Sequence, residues 1–156
     1  MLFNLGFRPD LSEIERLRLV KEIDLRSLAH LGDAVFELHE RERELLQQAT
    51  VKSLHNKVVG RVNSKEQARL LVNLKPLLTE AEQDIVRRAR NLKVSGFRRN
   101  VEQSVMRQAT AFEALIGFLY LTDEARLQDL LALTSQETPP EGIRNPEPEA
   151  NFETET

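Results

Sequence analysis

Apolar residues recur along this chain at spacings of three and four, the period of a helix with one buried face. Leu25, Leu28, Leu31, Val35, Leu38 and Leu45 predict a helix from Leu25 to about Gln48, with Asp24 as its cap. Ahead of it, Ile14, Leu17, Leu19 and Val20 predict a first helix capped by Asp10 or Ser12. Leu54, Val58 and Val62 share one face of a third, over Val51 to Val62, and Ser64 can cap a fourth through Leu74. Pro76 should end that helix or lie just past it, because proline has no N–H to donate. Thr79-Glu80-Ala81-Glu82 has the spacing of a capping box and opens a fifth helix through about Arg90. From Asn91 to Glu102 the period lapses around Gly96 and several bases, which reads as a loop. A sixth helix, Gln103 to Leu121, contains AFEALIGFLYL; apolar nearly all round, it should be central. Thr122 then caps a short last helix carrying Leu127, Leu130 and Leu131. Strand-type alternation is almost absent, so the fold class is all-α, with about seven helices.

The pattern stops at Thr134. From there to Thr156 the chain holds four of its six prolines, six acids and one base. Such a segment cannot bury enough apolar surface to offset its ordering entropy, so residues 134–156 are expected to form a disordered acidic tail behind one domain of residues 1–133. The 156 residues otherwise leave room for one domain, not two. The absence of cysteine excludes a disulfide framework, a cysteine zinc site and a cysteine nucleophile. No apolar run approaches the ~20 residues needed to cross a bilayer, which points to a soluble, cytoplasmic protein with no membrane partner.

Formal net charge is −3 over the whole chain, a value that argues against a polyanion ligand until it is divided. Residues 51–107 carry thirteen bases against five acids, the blocks on either side are acidic, and the tail has a net charge of −5. The densest basic stretch holds Arg87, Arg88, Arg90, Lys93, Arg98, Arg99 and Arg107 with only Glu102 opposing them. Bases at a helix end and in the following loop suit phosphate contact and counterion release. Arg87, Arg88 and Arg90 could equally complement a helix C-terminus and make solvated ion pairs.

Two acids sit where acids are costly. Asp33 lies in LAHLGDAVFEL and Glu113 in ATAFEALIGFLYL, each with a glycine close by, Gly32 and Gly117. An ionised carboxylate among apolar side chains must be paired, neutralised or metal-bound. The ordinary fate of one such acid is an Arg or Lys partner, or a place at the rim of the core. If the two helices pack together, however, the acids converge, and two carboxylates with water suit a hard cation such as magnesium. Glu37, one turn after Asp33, could join them or belong to the charged run from Glu37 to Glu44.

These segments carry a resemblance. LAHLGDAVFELHER resembles the signature helix of ribonuclease III catalytic domains, with its Leu-Gly-Asp-Ala core, and ATAFEALIGFLYL resembles their second acidic helix, with its Phe-Glu-Ala-Leu core. Together with RRARNLKVSGFRRN and the short length, the chain resembles the Mini-ribonuclease III family over roughly Asp24 to Leu133. The resemblance implies an all-α ribonuclease III-like endonuclease domain acting on double-stranded RNA, without a separate RNA-binding domain. It implies Mg2+ as cofactor, with Asp33 and Glu113 as catalytic and metal-holding residues. It implies RNA contact by the segment with Arg90, Asn91, Lys93, Arg98, Arg99 and Asn100. It also implies maturation of the large-subunit (23S) ribosomal RNA precursor, a homodimer, and products with 5′-phosphate and 3′-hydroxyl ends; ribosomal proteins are a further candidate partner. Three positions depart from the broader ribonuclease III pattern: Ala29 and Thr110 stand where acids are expected, and His30 where an aromatic dimer contact is expected. The missing acids leave open a non-catalytic helical RNA- or ribosome-binding module of the same fold.

Overall fold

The computed structural model describes residues 7–47, 49–93 and 100–135, with the side chains of 100 and 101 excepted. Among the described residues the chain forms seven α-helices and no strand: α1 (Glu13–Glu22), α2 (Leu25–Leu45), α3 (Val51–Val62), α4 (Ser64–Leu74), α5 (Glu80–Arg90), α6 (Asn100–Thr122) and α7 (Glu124–Thr134), with a 3-10 turn over Lys75–Leu77 after α4.

Side-chain caps start most of these helices, each satisfying a backbone N–H that the first turn leaves without a partner. Ser12 and Glu15 close a capping box on α1, the Ser12 N–H donating to Glu15 Oε2 at 2.9 Å. Thr79 and Glu82 do the same on α5, at 2.8 Å. Asp24 Oδ2 accepts from the Ser27 N–H at 3.2 Å on α2. Two caps fall one residue from the expected position: Asn63 rather than Ser64 caps α4, and Asp123 rather than Thr122 caps α7. In each case the adjoining side chain reaches the orphan N–H, through Asn63 Oδ1 and Asp123 Oδ1, both at 3.0 Å. α6 begins at Asn100, three residues ahead of the expected start, and runs 23 residues. Gly96, Arg98 and Arg99 of the expected loop lie outside the described residues, as does the acidic segment from 136 onward.

α6 is the central element. It packs against α1, α2, α4, α5 and α7, most extensively against α2. Ala111, Phe112, Ala114, Leu115 and Ile116 are fully enclosed within it, joined by Leu28 and Phe36 from α2, Leu71 from α4 and Leu130 from α7. The rings of Phe36 and Phe112 meet edge to face with centroids 4.9 Å apart, a favoured aromatic geometry.

The α2–α6 contact is closer than side chains permit. A Cβ added to Gly32 would lie 1.8 Å from the Glu113 carbonyl oxygen, and one added to Gly117 would lie 2.0 Å from the Leu28 carbonyl oxygen. Backbone touches backbone at both points, so these glycines have a steric reason that outweighs their cost of roughly 1 kcal/mol each in helix propensity. Gly60, exposed on α3, has nothing within 4 Å of a Cβ and has no such reason.

Opposite outcomes follow for one chemical change. Gly32→Ala and Gly117→Ala should each destabilise the domain by about 3 kcal/mol or more, since backbone on the facing helix must move. Gly60→Ala should stabilise it by roughly 0.5–1 kcal/mol. Urea unfolding of the three variants reads both signs, and a neutral Gly117→Ala would contradict the close crossing.

Candidate active site

The crossing determines where the two acids lie. Gly32 rests on the Glu113 backbone, so Asp33, the next residue on α2, stands beside Glu113 on α6. Both are half-buried. Burial, and after it the charge of Asp33, push the Glu113 carboxyl from its ordinary value of 4.5 up to about 7. Gln67, from α4, opposes this by favouring the charged carboxylate. Its amide is 1% exposed, and Nε2 has no hydrogen-bond partner, so it acts at slightly longer range without closing a bond. Among the described residues Glu113 has no cationic partner.

The chain's other buried acids differ. Glu40, fully enclosed on α2, holds Arg43 at 2.8 Å and Arg61 of α3 at 3.3 Å. Burial raises its carboxyl and the two guanidinium groups offset part of that. Arg61 also donates to the Thr134 carbonyl at 2.8 Å, tying α3 to the end of α7. At Glu82 burial is outweighed by Arg126, whose Nε lies 2.8 Å from Oε1, and by the Thr79 cap, so this carboxyl sits below its usual range. Glu37 is bound to Arg41 one turn on and does not join Asp33 and Glu113. Thus the run from Glu37 to Glu44 is not simply a solvated face: Glu40 and Glu44 turn inward.

The remaining expected positions divide. Arg90 ends α5 and lines a cavity of about 520 Å³ with Lys75 and Arg87. Asn91 caps the same helix, its N–H donating to the Arg87 and Arg88 carbonyls. Lys93 and the exposed His30 line a second cavity, of about 290 Å³, that reaches Glu113. Asn100 is the first residue of α6, while Arg98 and Arg99 fall outside the described residues. Arg87 and Arg88 both face Asp84, at 2.5 and 3.6 Å, the solvated pairing that helix-end arginines often adopt.

Two side chains at the site were not singled out from the sequence. Gln67 occupies a core position of α4, in register with Leu70, Leu71 and Leu74, so its signal was a polar residue on an apolar stripe. Arg26 lies seven residues before Asp33, two turns back along α2, and that spacing placed it near the acid.

Comparison with known proteins defines the class. The Ribonuclease III domain family matches residues 26–124, a span that runs from the second residue of α2 through α6 and includes both acids. A Mini-ribonuclease 3 from a Synechococcus species is 46% identical over 111 residues, covering 71% of this chain and 80% of that protein. A Mini-ribonuclease 3 from Gloeobacter violaceus is 42% identical over 131 residues, covering 84% and 96%. A crystal structure of a protein from Fusobacterium nucleatum superposes with a TM-score of 0.65 at 30% identity, covering 73% of this chain and 93% of that one. The chain belongs to the ribonuclease III family, in its Mini-ribonuclease 3 branch.

The raised Glu113 carboxyl has a consequence for stability. The folded chain retains a proton there at pH values where the unfolded chain has lost it, so stability falls as pH rises from 4.5 towards about 7 and stays reduced above that. Glu113→Gln removes the ionisation. In metal-free buffer it should raise stability at pH 8 by about 1–2 kcal/mol, after allowance for solvent screening, and change little at pH 4. Urea unfolding at the two pH values checks this; equal effects at both would mean that no cost attaches to the charged carboxyl.

Proposed function

We propose that this endoribonuclease cuts double-stranded RNA by metal-assisted hydrolysis, with Asp33 and Glu113 as its metal-holding pair. The observation that carries the reading is their convergence: two half-buried carboxylates brought together by a backbone-to-backbone crossing, one held well above its usual range by burial and by the other. A divalent cation relieves that repulsion. Magnesium binds through one or two carboxylates and fills its remaining positions with water and substrate phosphate. The donor set fits this, since among the described residues no cluster of three or more His, Cys, Asp or Glu surrounds a point. Bound there, the ion supplies Lewis acidity, activating water and offsetting charge on the phosphate.

The chain's own groups do the rest. Asp33 and Glu113 orient the attack of water on phosphorus, and the P–O3′ bond breaks, leaving a 5′-phosphate and a 3′-hydroxyl. Gln67 favours the charged form of Glu113 against the larger effects of burial and Asp33. Arg90, Asn91 and Lys93, with Arg98, Arg99 and Asn100, grip the RNA backbone. A homodimer with His30 at its contact presents two such sites, one for each strand of a duplex. The large-subunit (23S) ribosomal RNA precursor is the natural substrate proposed, in the cytoplasm. No helix among the described residues is long and apolar enough to cross a membrane.

Asp33→Asn and Glu113→Gln should each abolish magnesium-dependent cleavage of a long RNA duplex while leaving the circular dichroism and duplex binding of the wild type. Retained cleavage by either variant would remove that residue from the site. Replacing Arg98 and Arg99 together should flatten the salt dependence of duplex binding by about two phosphate contacts, and an unchanged slope would take the segment out of the RNA interface.

A further inference from the structure

The cavity of about 290 Å³ beside Glu113 is walled in an unexpected way for a site next to two carboxylates. Its charged lining is cationic: Arg26 from α2, Lys93 from the segment after α5, and Arg107 from α6, with His30 at the same wall. Among the described residues Glu113 is the only acid that reaches it, and neutral Ala29 and Thr110 also line it. Three cationic side chains therefore share a cavity with one carboxylate, which itself stands against Asp33.

These cations have no carboxylate partners among the described residues, although pairing is common elsewhere on the molecule. Arg41, Arg43, Arg61, Arg69, Arg87 and Arg126 each have an acid within 4.0 Å. Arg26 is instead anchored by the backbone: its Nη2 donates to the Lys93 carbonyl at 2.5 Å. A neutral carbonyl leaves the guanidinium charge uncompensated and its remaining N–H groups available. The bond also holds Lys93, and hence the end of α5, against α2. Arg107 lies six residues before Glu113, roughly 9 Å back along the α6 axis.

We infer that this cavity is an anion site, built to hold a phosphate group of the RNA backbone beside the linkage being cut. The inference rests on the nuclease reading above, and adds to it how the strand is positioned. Guanidinium forks match phosphate oxygens in geometry and charge. At about 290 Å³ the space is near the lower limit for pockets that enclose small molecules, roughly 300 Å³, and suits a phosphate with its water more than a whole nucleotide. The wall that would coordinate a second cation offers alanine and threonine, and repels one through three positive charges.

The test is duplex binding by the full chain in EDTA, read by fluorescence anisotropy from 50 to 300 mM NaCl, for wild type, Arg26→Met, Arg107→Met, Thr110→Asp and Arg18→Met. Arg18 is exposed on α1 and does not line the cavity, which makes it the control. Arg26→Met and Arg107→Met should each weaken binding about five- to tenfold and lower the slope of log K against log salt by roughly one. Arg18→Met should do neither. Thr110→Asp, which adds a carboxylate to the cavity, should also weaken binding. Inorganic phosphate at constant ionic strength should compete with the duplex on the wild type and much less on Arg107→Met.

Unchanged slopes for both cavity arginines in folded protein would overturn the inference. So would phosphate competition without any change in RNA slope, which would assign the cavity to the free ion. A Thr110→Asp protein that keeps its RNA affinity and binds additional manganese would assign the cavity to a cation, again overturning it. Wild-type cleavage of the same duplex in magnesium is scored separately. Cleavage with unchanged slopes rejects the cavity alone, lowered slopes without cleavage reject the nuclease assignment alone, and no duplex binding rejects both.

Discussion

The contact of α2 with α6 at Gly32 and Gly117 governs everything else in this molecule. With a side chain at either position, the helices would have to separate, and Phe36 and Phe112 would lose their edge-to-face contact at the centre of the core. The same separation would take Asp33 away from Glu113. Packing and site geometry thus come from one steric fact, and the position of each acid is set by backbone before any rotamer is chosen. Side chains on rigid elements hold their geometry better than side chains on loops, and here the rigidity comes from main-chain atoms in direct contact.

That arrangement carries an electrostatic cost which the domain avoids at its other buried acids. Glu82 sits against Arg126 and its own helix cap; Glu40 sits against Arg43 and Arg61. Glu113 faces another carboxylate and the amide of Gln67, whose Nε2 has no hydrogen-bond partner. Unfavourable local interactions concentrate at functional positions because the surrounding structure over-determines them. The enclosed residues that flank Glu113, Phe112, Ala114, Leu115 and Ile116, are that surrounding structure.

Much of this was legible in the sequence wherever the cause was local. The capping box at Thr79, the span of α3 and the central place of α6 follow from spacing and from side-chain chemistry within a few residues, whereas at α1 the sequence left Asp10 and Ser12 as alternative caps and the folded chain uses Ser12. The ends of helices were less legible: Asn63 and Asp123 compete with equally suitable neighbours, Ser64 and Thr122, and only the folded backbone decides between them. Glu40 was illegible for a different reason. Within a run of charges its burial depends on Arg61, twenty-one residues later, and no periodicity reports that partner. Asp33 and Glu113 could be marked as costly, and their convergence followed from two apolar helices and two glycines. Gln67 and Arg26 escaped notice because a single polar residue on an apolar face, or a single arginine on an exposed one, has many ordinary explanations.

The two acids are eighty residues apart in the chain, and the helix bearing the second is the one on which most of the others pack. Contacts of such long sequence separation form only when the chain closes a large loop. Chain emerging from the ribosome therefore holds Asp33 well before Glu113 exists to meet it, and a partly unfolded chain separates them again. The pairing of the two acids arrives with the completed fold and leaves with it. For an endoribonuclease made on an RNA template, an acid pair that exists only in the folded state makes correct folding itself the safety catch on the proposed site.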